Sequence, residues 1–324
     1  MDRPGPLATL TAAVADFAER HAVGGAGWCV ALSGGPDSLA LTAAAARLRP
    51  TTALIVDHRL QPGSDRVAQD ARSQALALGC VEARVLAVDV GTDGGPEAAA
   101  RTARYRALAE ARAGAPVLLA HTLDDQAETV LLGLGRGSGP RSIAGMRPHD
   151  PPWCRPLLGI RRAVTVAACA ALGLPAWQDP HNADARFTRV RLRTEVLPLL
   201  EEVLGGGVAE ALARTATALR EDTDTLDGLA RQALTAAIRG AGPEAGLDTA
   251  ELAALPAAIR RRVIRAWLLD GGASDLTDKH IRGVERLVTA WRGQGGVAVG
   301  SPLRRQRLVA GRRGGVLTLH REPV

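Results

Sequence analysis

Ala31-Leu32-Ser33-Gly34-Gly35-Pro36-Asp37-Ser38 closes the apolar run Trp28–Leu32 and opens the alanine-rich run Leu39–Leu48. The apolar run reads as a short buried strand and the alanines as a strong helix former. Pro36 suits a first helical position, where its missing N–H costs nothing. Ser33 and the two glycines can then turn backbone N–H groups and a hydroxyl toward one point at a helix N-terminus. Such a point is an anion site, and phosphate is the usual anion.

The rest of the first half repeats this strand-to-helix grammar. Leu7, Leu10, Val14 and Phe17 recur at helical spacing, so Leu7–His21 is an entry helix. Thr51–Val56 is a β-branched strand ending in Asp57-His58. It is followed by a helix over Asp65–Leu78, a strand over Val81–Val90, a helix over Glu97–Ala113, a strand over Pro116–Ala120 and a helix over Thr122–Leu134. Alternation of this kind predicts right-handed crossovers and a doubly wound, mostly parallel sheet. Ligands of such sheets lie beyond the carboxyl ends of the strands. Three strands end there in polar groups: Ser33, Asp57-His58 and His121.

His121-Thr-Leu-Asp124-Asp125-Gln-Ala-Glu128-Thr129 is the second cluster of chemistry. Helical spacing puts His121, Asp125 and Glu128 or Thr129 on one face. The helix dipole favours one or two acids in a first turn, but not a histidine, two aspartates and a glutamate at a strand end. Such a face suits cations, either Mg²⁺ on a nucleotide or an ammonium group. On the preceding helix Arg101, Arg104 and Tyr105 share a side, and Glu97 with Arg101 forms an i,i+4 pair.

At 324 residues the chain has room for two or three domains, and its net charge of +6 makes a polyanionic partner plausible. Lys279 is the single lysine, so nearly all the base is arginine, the better phosphate fork. Cys29, Cys80, Cys154 and Cys169 show no C-x-x-C spacing and read as buried thiols. No signal pattern or membrane span is seen, so the expected compartment is the cytoplasm, with no membrane partner.

The Walker loop G-x-x-x-x-G-K-[ST] is absent. Ser33–Ser38 instead resembles the S-G-G-x-D-S signature of the PP-loop ATP pyrophosphatases. Taken with Val56-Asp57-His58, Glu97–Tyr105, His121–Thr129, Arg155-Pro-Leu-Leu158, Trp177-Gln-Asp179-Pro-His-Asn182 and Arg189-Val-Arg191, it is similar to the tRNA(Ile)-lysidine synthetase family over roughly the first 200 residues. Val190 departs from that pattern, where asparagine is expected, and so does His181, where serine is expected.

Beyond the matched residues, helical and basic patterning alone gives a helical connector over 186–245 and a small, basic α+β tRNA-recognition domain over 246–324, whereas the resemblance implies an α/β, adenine nucleotide alpha-hydrolase-like domain over 1–185. It implies ATP-dependent ligation of free L-lysine to C2 of the wobble cytidine of a CAU-anticodon isoleucine tRNA, through an adenylylated cytidine. ATP would be held by Ser33, Gly34, Gly35, Pro36, Asp37, Ser38, Asp57 and His58, with Asp37 on Mg²⁺. The catalytic set would be Asp37, Arg101, His121, Asp125 and Glu128. Lysine would meet Asp125 and His121 at its amine end and Arg101 at its carboxylate.

Candidate tRNA contacts are Arg136 and Arg141 in and beside a glycine-rich loop, Arg189 and Arg191 on an Arg-rich helix over 186–200, and Arg260 and Arg304 in the tail. From Asp248 onward there are about twice as many basic as acidic residues. The oligomeric state is left open, a homodimer included. A PP-loop tRNA thiolase would need sulfur-carrying cysteines, and a non-catalytic tRNA-binding protein would have no use for intact Ser33, Asp37, Ser38 and Asp125.

Overall fold

A computed structural model describes residues 4–323, apart from 60, 62, 92–94, 138, 241–244 and 302–305. The chain divides into two compact units, Met1–Thr217 and Ala218–Val324. Residues 186–245, expected as a connector, are shared between them.

The first unit runs α1 (Pro6–Arg20), β1 (Trp28–Ala31), α2 (Pro36–Ala46), β2 (Thr51–Asp57), α3 (Ser64–Ala77), β3 (Glu82–Ala87), α4 (Pro96–Ala111), β4 (Val117–Leu118), α5 (Leu123–Gly135), α6 (Pro140–Ile143), β5 (His149–Asp150), β6 (Trp153–Cys154), α7 (Arg162–Ala171), α8 (Thr188–Arg191), α9 (Leu197–Val203) and the start of α10 (Val208–Ala237). Its sheet has the order β3-β2-β1-β4-β6-β5. All neighbours are parallel except the edge pair β5–β6. The doubly wound, mostly parallel expectation therefore holds.

Register aligns the strand ends. Trp28 lies opposite Thr51 and Cys29 opposite Val117, so the parallel strands β1, β2 and β4 discharge Ser33, Asp57-His58 and His121 at the same, carboxyl end of the sheet. Helix α2 is buried from Ser38 to Ala45. Its small side chains let it lie close to the sheet beneath α1 and α7, and Leu10, Val30, Leu39 and Leu41 fill that core.

Two expectations change. Strand β3 stops at Ala87 rather than Val90, because its partner β2 ends at Asp57, opposite Ala87. The Arg-rich helix over 186–200 is broken into α8, a π-helical turn over Leu192–Val196, and α9. Pro198 lacks the N–H that an α-helical turn requires at that point, and a wider turn relieves the loss.

The second unit contains β7 (Ile238–Arg239), β8 (Gly246–Asp248), α11 (Thr249–Ala254), α12 (Ala257–Asp270), α13 (Asp278–Thr289), β9 (Val297–Val299), β10 (Gln306–Arg313) and β11 (Val316–Pro323). The sheet order is β7-β8-β11-β10-β9, antiparallel throughout. Leu252, Val263, Ile264, Leu268, Val284 and Leu317 form its own core. No described helix is long and apolar enough to cross a membrane.

Candidate active site

The Ser33–Ser38 loop is closed by its own hydroxyls. Ser38 Oγ donates to the Gly35 carbonyl at 2.9 Å, accepts from Ser33 N at 3.2 Å, and lies 3.1 Å from Ser33 Oγ. Gly34 has φ +81°, a left-handed conformation that glycine adopts without strain, and its carbonyl accepts from Trp177 N at 2.9 Å. Pro36 begins α2, so the N–H groups of Asp37 and Ser38 have no intrahelical partner and remain for an anion.

Asp37, in the first turn of α2, is committed to α7. Its Oδ2 accepts from Arg162 Nε at 3.0 Å, and its Oδ1 accepts from the Thr165 hydroxyl. Burial raises the Asp37 pKa, against the opposing pull of the Arg162 charge and the Thr165 bond.

Thr122 caps α5 in a reciprocal box with Asp125 at the third helical position. Asp125 Oδ2 accepts from Thr122 N and from Thr122 Oγ1, each at 2.8 Å. Asp125 Oδ1 accepts from Arg162 Nη2 at 2.6 Å. Burial works against the Asp125 carboxylate, yet the Arg162 charge and the two Thr122 bonds prevail and lower its pKa. Arg162 in turn has burial working against its charge, and Asp125, Asp37 and Glu128 more than offset it.

Glu128 is fully buried. Arg193, in the π-helical turn, grips it with Nε at 2.7 Å and Nη2 at 3.2 Å. Arg162 Nη1 and Arg189 Nη1 stand 3.7 and 3.9 Å from it. Its place in this structure is that of an anchor between α5 and the Arg-rich segment. Asp124 faces elsewhere, with Oδ2 accepting from Arg162 N at 2.7 Å and Oδ1 lying 3.3 Å from Arg161.

His121 stands in electrostatic range of both Asp125 and a basic group, Arg101, Arg104 and Arg155. His121 is driven down to a pKa of about 3, by burial first, with the charges of Arg104, Arg155 and Arg101 adding to it and Asp125 opposing. It is therefore neutral at pH 7. His58 is lowered too, by burial and then by Arg104. Four buried polar atoms here lack a hydrogen-bond partner: His58 Nδ1, His121 Nδ1, Arg104 Nε and Arg155 Nε. Orphaned donors on two arginines imply an anion to complete them. Arg101, the arginine singled out from sequence, is exposed and stacks over Tyr105 at 4.9 Å; Arg104 reaches deeper. Asp57 is buried at the end of β2 and accepts from Arg59 N. The side chain of Glu97 lies outside the described residues.

The other sequence candidates fall in different settings. Arg136 and Arg141 are exposed. Arg191 is exposed and paired with Glu195 at 2.9 Å. Arg260 turns inward, bound to Glu285 at 3.0 Å and to the Leu255 carbonyl at 2.7 Å, so it is not presented to a polyanion. Arg304 lies outside the described residues.

Sequence reasoning missed Arg162 and Thr165, and it gave Arg193 only a place in the Arg-rich stripe over 186–200; all three organise the acidic wall. The available signal was an imbalance: α5 carries three acids in its first half and no base, and buried carboxylates need cations from elsewhere. Among the described residues no group of three or more His, Cys, Asp or Glu is placed to hold a metal ion. A Mg²⁺ carried on nucleotide phosphates needs only one or two protein carboxylates, and Asp37 beside the loop could serve once Arg162 releases its Oδ2.

Residues 8–200 match the PP-loop domain family, and residues 247–308 match the TilS substrate binding domain. A tRNA(Ile)-lysidine synthase of Mycobacterium bovis is 73% identical over 324 residues, covering 100% of both chains. One from Nocardia farcinica is 65% identical over 295 residues, 90% of this chain and 91% of the relative. Among solved structures, a U34-tRNA thiolase from Methanococcus maripaludis has a TM-score of 0.54 at 18% identity, covering 67% of this chain and 80% of that one. That likeness concerns the fold alone.

Proposed function

The chain belongs to the tRNA(Ile)-lysidine synthase family, and from that membership we propose that it ligates free L-lysine to C2 of the wobble cytidine, position 34, of a CAU-anticodon isoleucine tRNA, using ATP. C2 of cytosine has no leaving group, so its oxygen is adenylylated first. Pyrophosphate leaves, and the lysine ε-amine then displaces AMP.

The observation that best supports this reading is the meeting of Asp37 and Asp125 across one shared guanidinium, with the basic group around His121 in range. Both charge signs are needed there. Lysine brings two ammonium groups and a carboxylate, and ATP brings a polyphosphate. Ser33, Gly34, Gly35 and Ser38, with the free N–H groups of α2, grip the departing pyrophosphate, where charge develops. Pro36 sets the helix start, and Asp57 and His58 border the nucleotide. Asp37 would hold Mg²⁺ on the phosphates, and the ion would neutralise charge there.

Asp125 and the neutral His121 receive the amine end of lysine. Arg104 and Arg155, with Arg101 at the rim, take a carboxylate or phosphate. Once an anion covers those arginines, part of what holds His121 neutral is lifted, and the imidazole can accept the proton lost by the attacking amine. Glu128 keeps Arg193 in register behind Asp125. Arg136, Arg141, Arg189 and Arg191 offer phosphate contacts to the tRNA.

The test is incubation of the protein with ATP, radiolabelled lysine and an unmodified CAU isoleucine tRNA transcript. Label should enter the RNA and vanish in Asp37→Ala or when cytidine 34 is replaced. Label that survives replacement of cytidine 34, or no label with the native transcript, would reject the assignment.

A further inference from the structure

Arg162 stands where substrate cations are needed. Its backbone N–H is pinned by Asp124 Oδ2 at 2.7 Å, so only its side chain has freedom to turn. From that point Nε reaches Asp37 Oδ2 at 3.0 Å and Nη2 reaches Asp125 Oδ1 at 2.6 Å. The third nitrogen, Nη1, is buried and donates no hydrogen bond, with Glu128 Oε1 3.7 Å away. The remaining oxygen of each aspartate is already engaged, Asp37 Oδ1 by Thr165 and Asp125 Oδ2 by Thr122. One guanidinium therefore completes both carboxylates at once.

We propose that Arg162 is the resident counter-ion of Asp37 and Asp125 and couples the nucleotide site to the lysine site by leaving both aspartates when ATP binds. The proposal rests on Asp125 as the acid for the lysine amine. A guanidinium forks well onto phosphate oxygens, and the Ser33–Ser38 loop brings a polyphosphate beside Asp37. One planar fork cannot turn onto phosphates and keep its bonds to both aspartates. Asp125 Oδ1 then loses its only hydrogen bond and keeps just the Arg193 Nη2 charge 3.7 Å away, which is costly for a buried carboxylate until a closer cation refills the place. The lysine ammonium is that cation. Before ATP arrives, free lysine competes with a tethered guanidinium whose effective concentration is high. The two substrates are thereby linked with no movement of the backbone.

Linkage is reciprocal, so nucleotide affinity reports the coupling even where lysine alone binds weakly. A non-hydrolysable ATP analogue with Mg²⁺ is titrated by calorimetry into the full chain at zero and at high lysine. Lysine is also titrated without nucleotide. In the wild type, lysine should tighten the analogue by about fivefold or more. In Arg162→Gln that ratio should fall below about twofold, while lysine alone binds more tightly than to the wild type because its competitor is gone. An Arg162 that merely spaces the two aspartates would weaken lysine alone and leave the ratio unchanged, and that result overturns the proposal. So does a wild-type ratio of one.

Should Arg162→Gln fail to fold by thermal melting, Arg162→Lys decides. It keeps the charge but cannot bridge both acids, so its ratio must drop to less than half the wild-type value, and an unchanged ratio rejects the coupling. Asp125→Asn separates the two ideas. Unaffected lysine binding in that variant removes the amine-acid reading and the coupling with it. Lost lysine binding there, with a wild-type ratio in Arg162→Gln, rejects Arg162 alone.

Discussion

Breaking the Glu128–Arg193 pair separates anchoring from chemistry at Glu128. The Glu128 side chain is 0% exposed and the Arg193 side chain 32%. The two bonds, at 2.7 and 3.2 Å, form a bidentate clamp. Removing one partner of a buried ion pair costs about 3–5 kcal/mol, because the other charge is stranded. For Arg193→Met the expected loss is smaller, about 2–3 kcal/mol, since Arg193 is partly solvated and Arg162 and Arg189 stay within 3.7 and 3.9 Å of the carboxylate. In a unit of this size that lowers the melting temperature by about 4–12 °C.

Glu128→Met strands the arginine instead, which can turn to water, so about 1–2 kcal/mol is expected. The double variant replaces the pair with two apolar side chains of similar volume, and such replacements are often neutral. Its stability should therefore return to within about 1 kcal/mol of the wild type, a coupling of about 2 kcal/mol or more. Calorimetric melting measures this, following the transition that responds to ATP. If Glu128 is an anchor, lysine transfer also returns in the double variant. Two small, additive effects would refute the clamp. Recovered stability with kcat still down a thousandfold would refute the anchoring role and return Glu128 to the chemistry.

Three further outcomes are expected. Gly34→Ala forces φ +81° on a residue with a Cβ, at about 1–2 kcal/mol, although the added carbon meets only ordinary contacts with Ala71 and Trp177 at 3.6 and 3.8 Å; ATP analogue binding by calorimetry should weaken about tenfold, and an unchanged affinity contradicts the loop geometry. His121, with a pKa of about 3 folded and 6.5 unfolded, costs stability as pH falls below 6.5, because the unfolded chain binds the proton first. Urea unfolding between pH 7 and 5 should show a slope that flattens in His121→Gln by up to about 1.4 kcal/mol per pH unit, and a parallel shift of the two curves would refute the neutral imidazole. For tRNA, Arg136→Gln should lower the salt-dependence slope of binding by about one, whereas Arg260→Gln should leave the slope alone and destabilise the second unit; the reverse pattern would exchange their roles.

Local grammar made the first unit legible. The alternation of β-branched runs with alanine-rich helices determined the sheet, and Ser33–Ser38 located its functional end. Strands β5 and β6 went unseen because each is two residues long and they are separated by Pro151-Pro152, so neither leaves a periodic trace. The ends of β10 and β11 are silent for a different reason. Gln306, Arg307, Arg321 and Glu322 pair across the sheet through backbone bonds that polar side chains do not announce.

The site divides along the same line. Residues within one turn or one helix, such as Ser33 with Ser38 or Thr122 with Asp125, are tied by spacing that the sequence displays. Arg162 is 125 residues from Asp37 and 37 from Asp125, and Arg193 is 65 from Glu128. No periodicity links such positions, so only the demand of buried carboxylates for cations could have pointed to them.

That demand also explains why the cleft is built from opposed charges rather than from one strong sign. An all-basic pocket would take ATP and tRNA but repel an amino acid with two ammonium groups. An all-acidic one would take lysine and repel the nucleotide. With Asp37 and Asp125 on one side and Arg101, Arg104 and Arg155 on the other, each proposed ligand finds its complement, but only one side has its counter-charge supplied by the resting protein. Arg162 provides it on the acidic side. On the basic side, among the described residues, Arg104 Nε and Arg155 Nε are buried without an acceptor, and Arg155 Nη1 donates only to the neutral Arg147 carbonyl at 2.9 Å. The asymmetry has a direction. The basic side favours an anion directly, whereas Asp37 and Asp125 take a second cation only once Arg162 is displaced. Under the coupling proposed for Arg162, the polyphosphate binds first and the amine second, the order in which adenylylation and amine attack must occur.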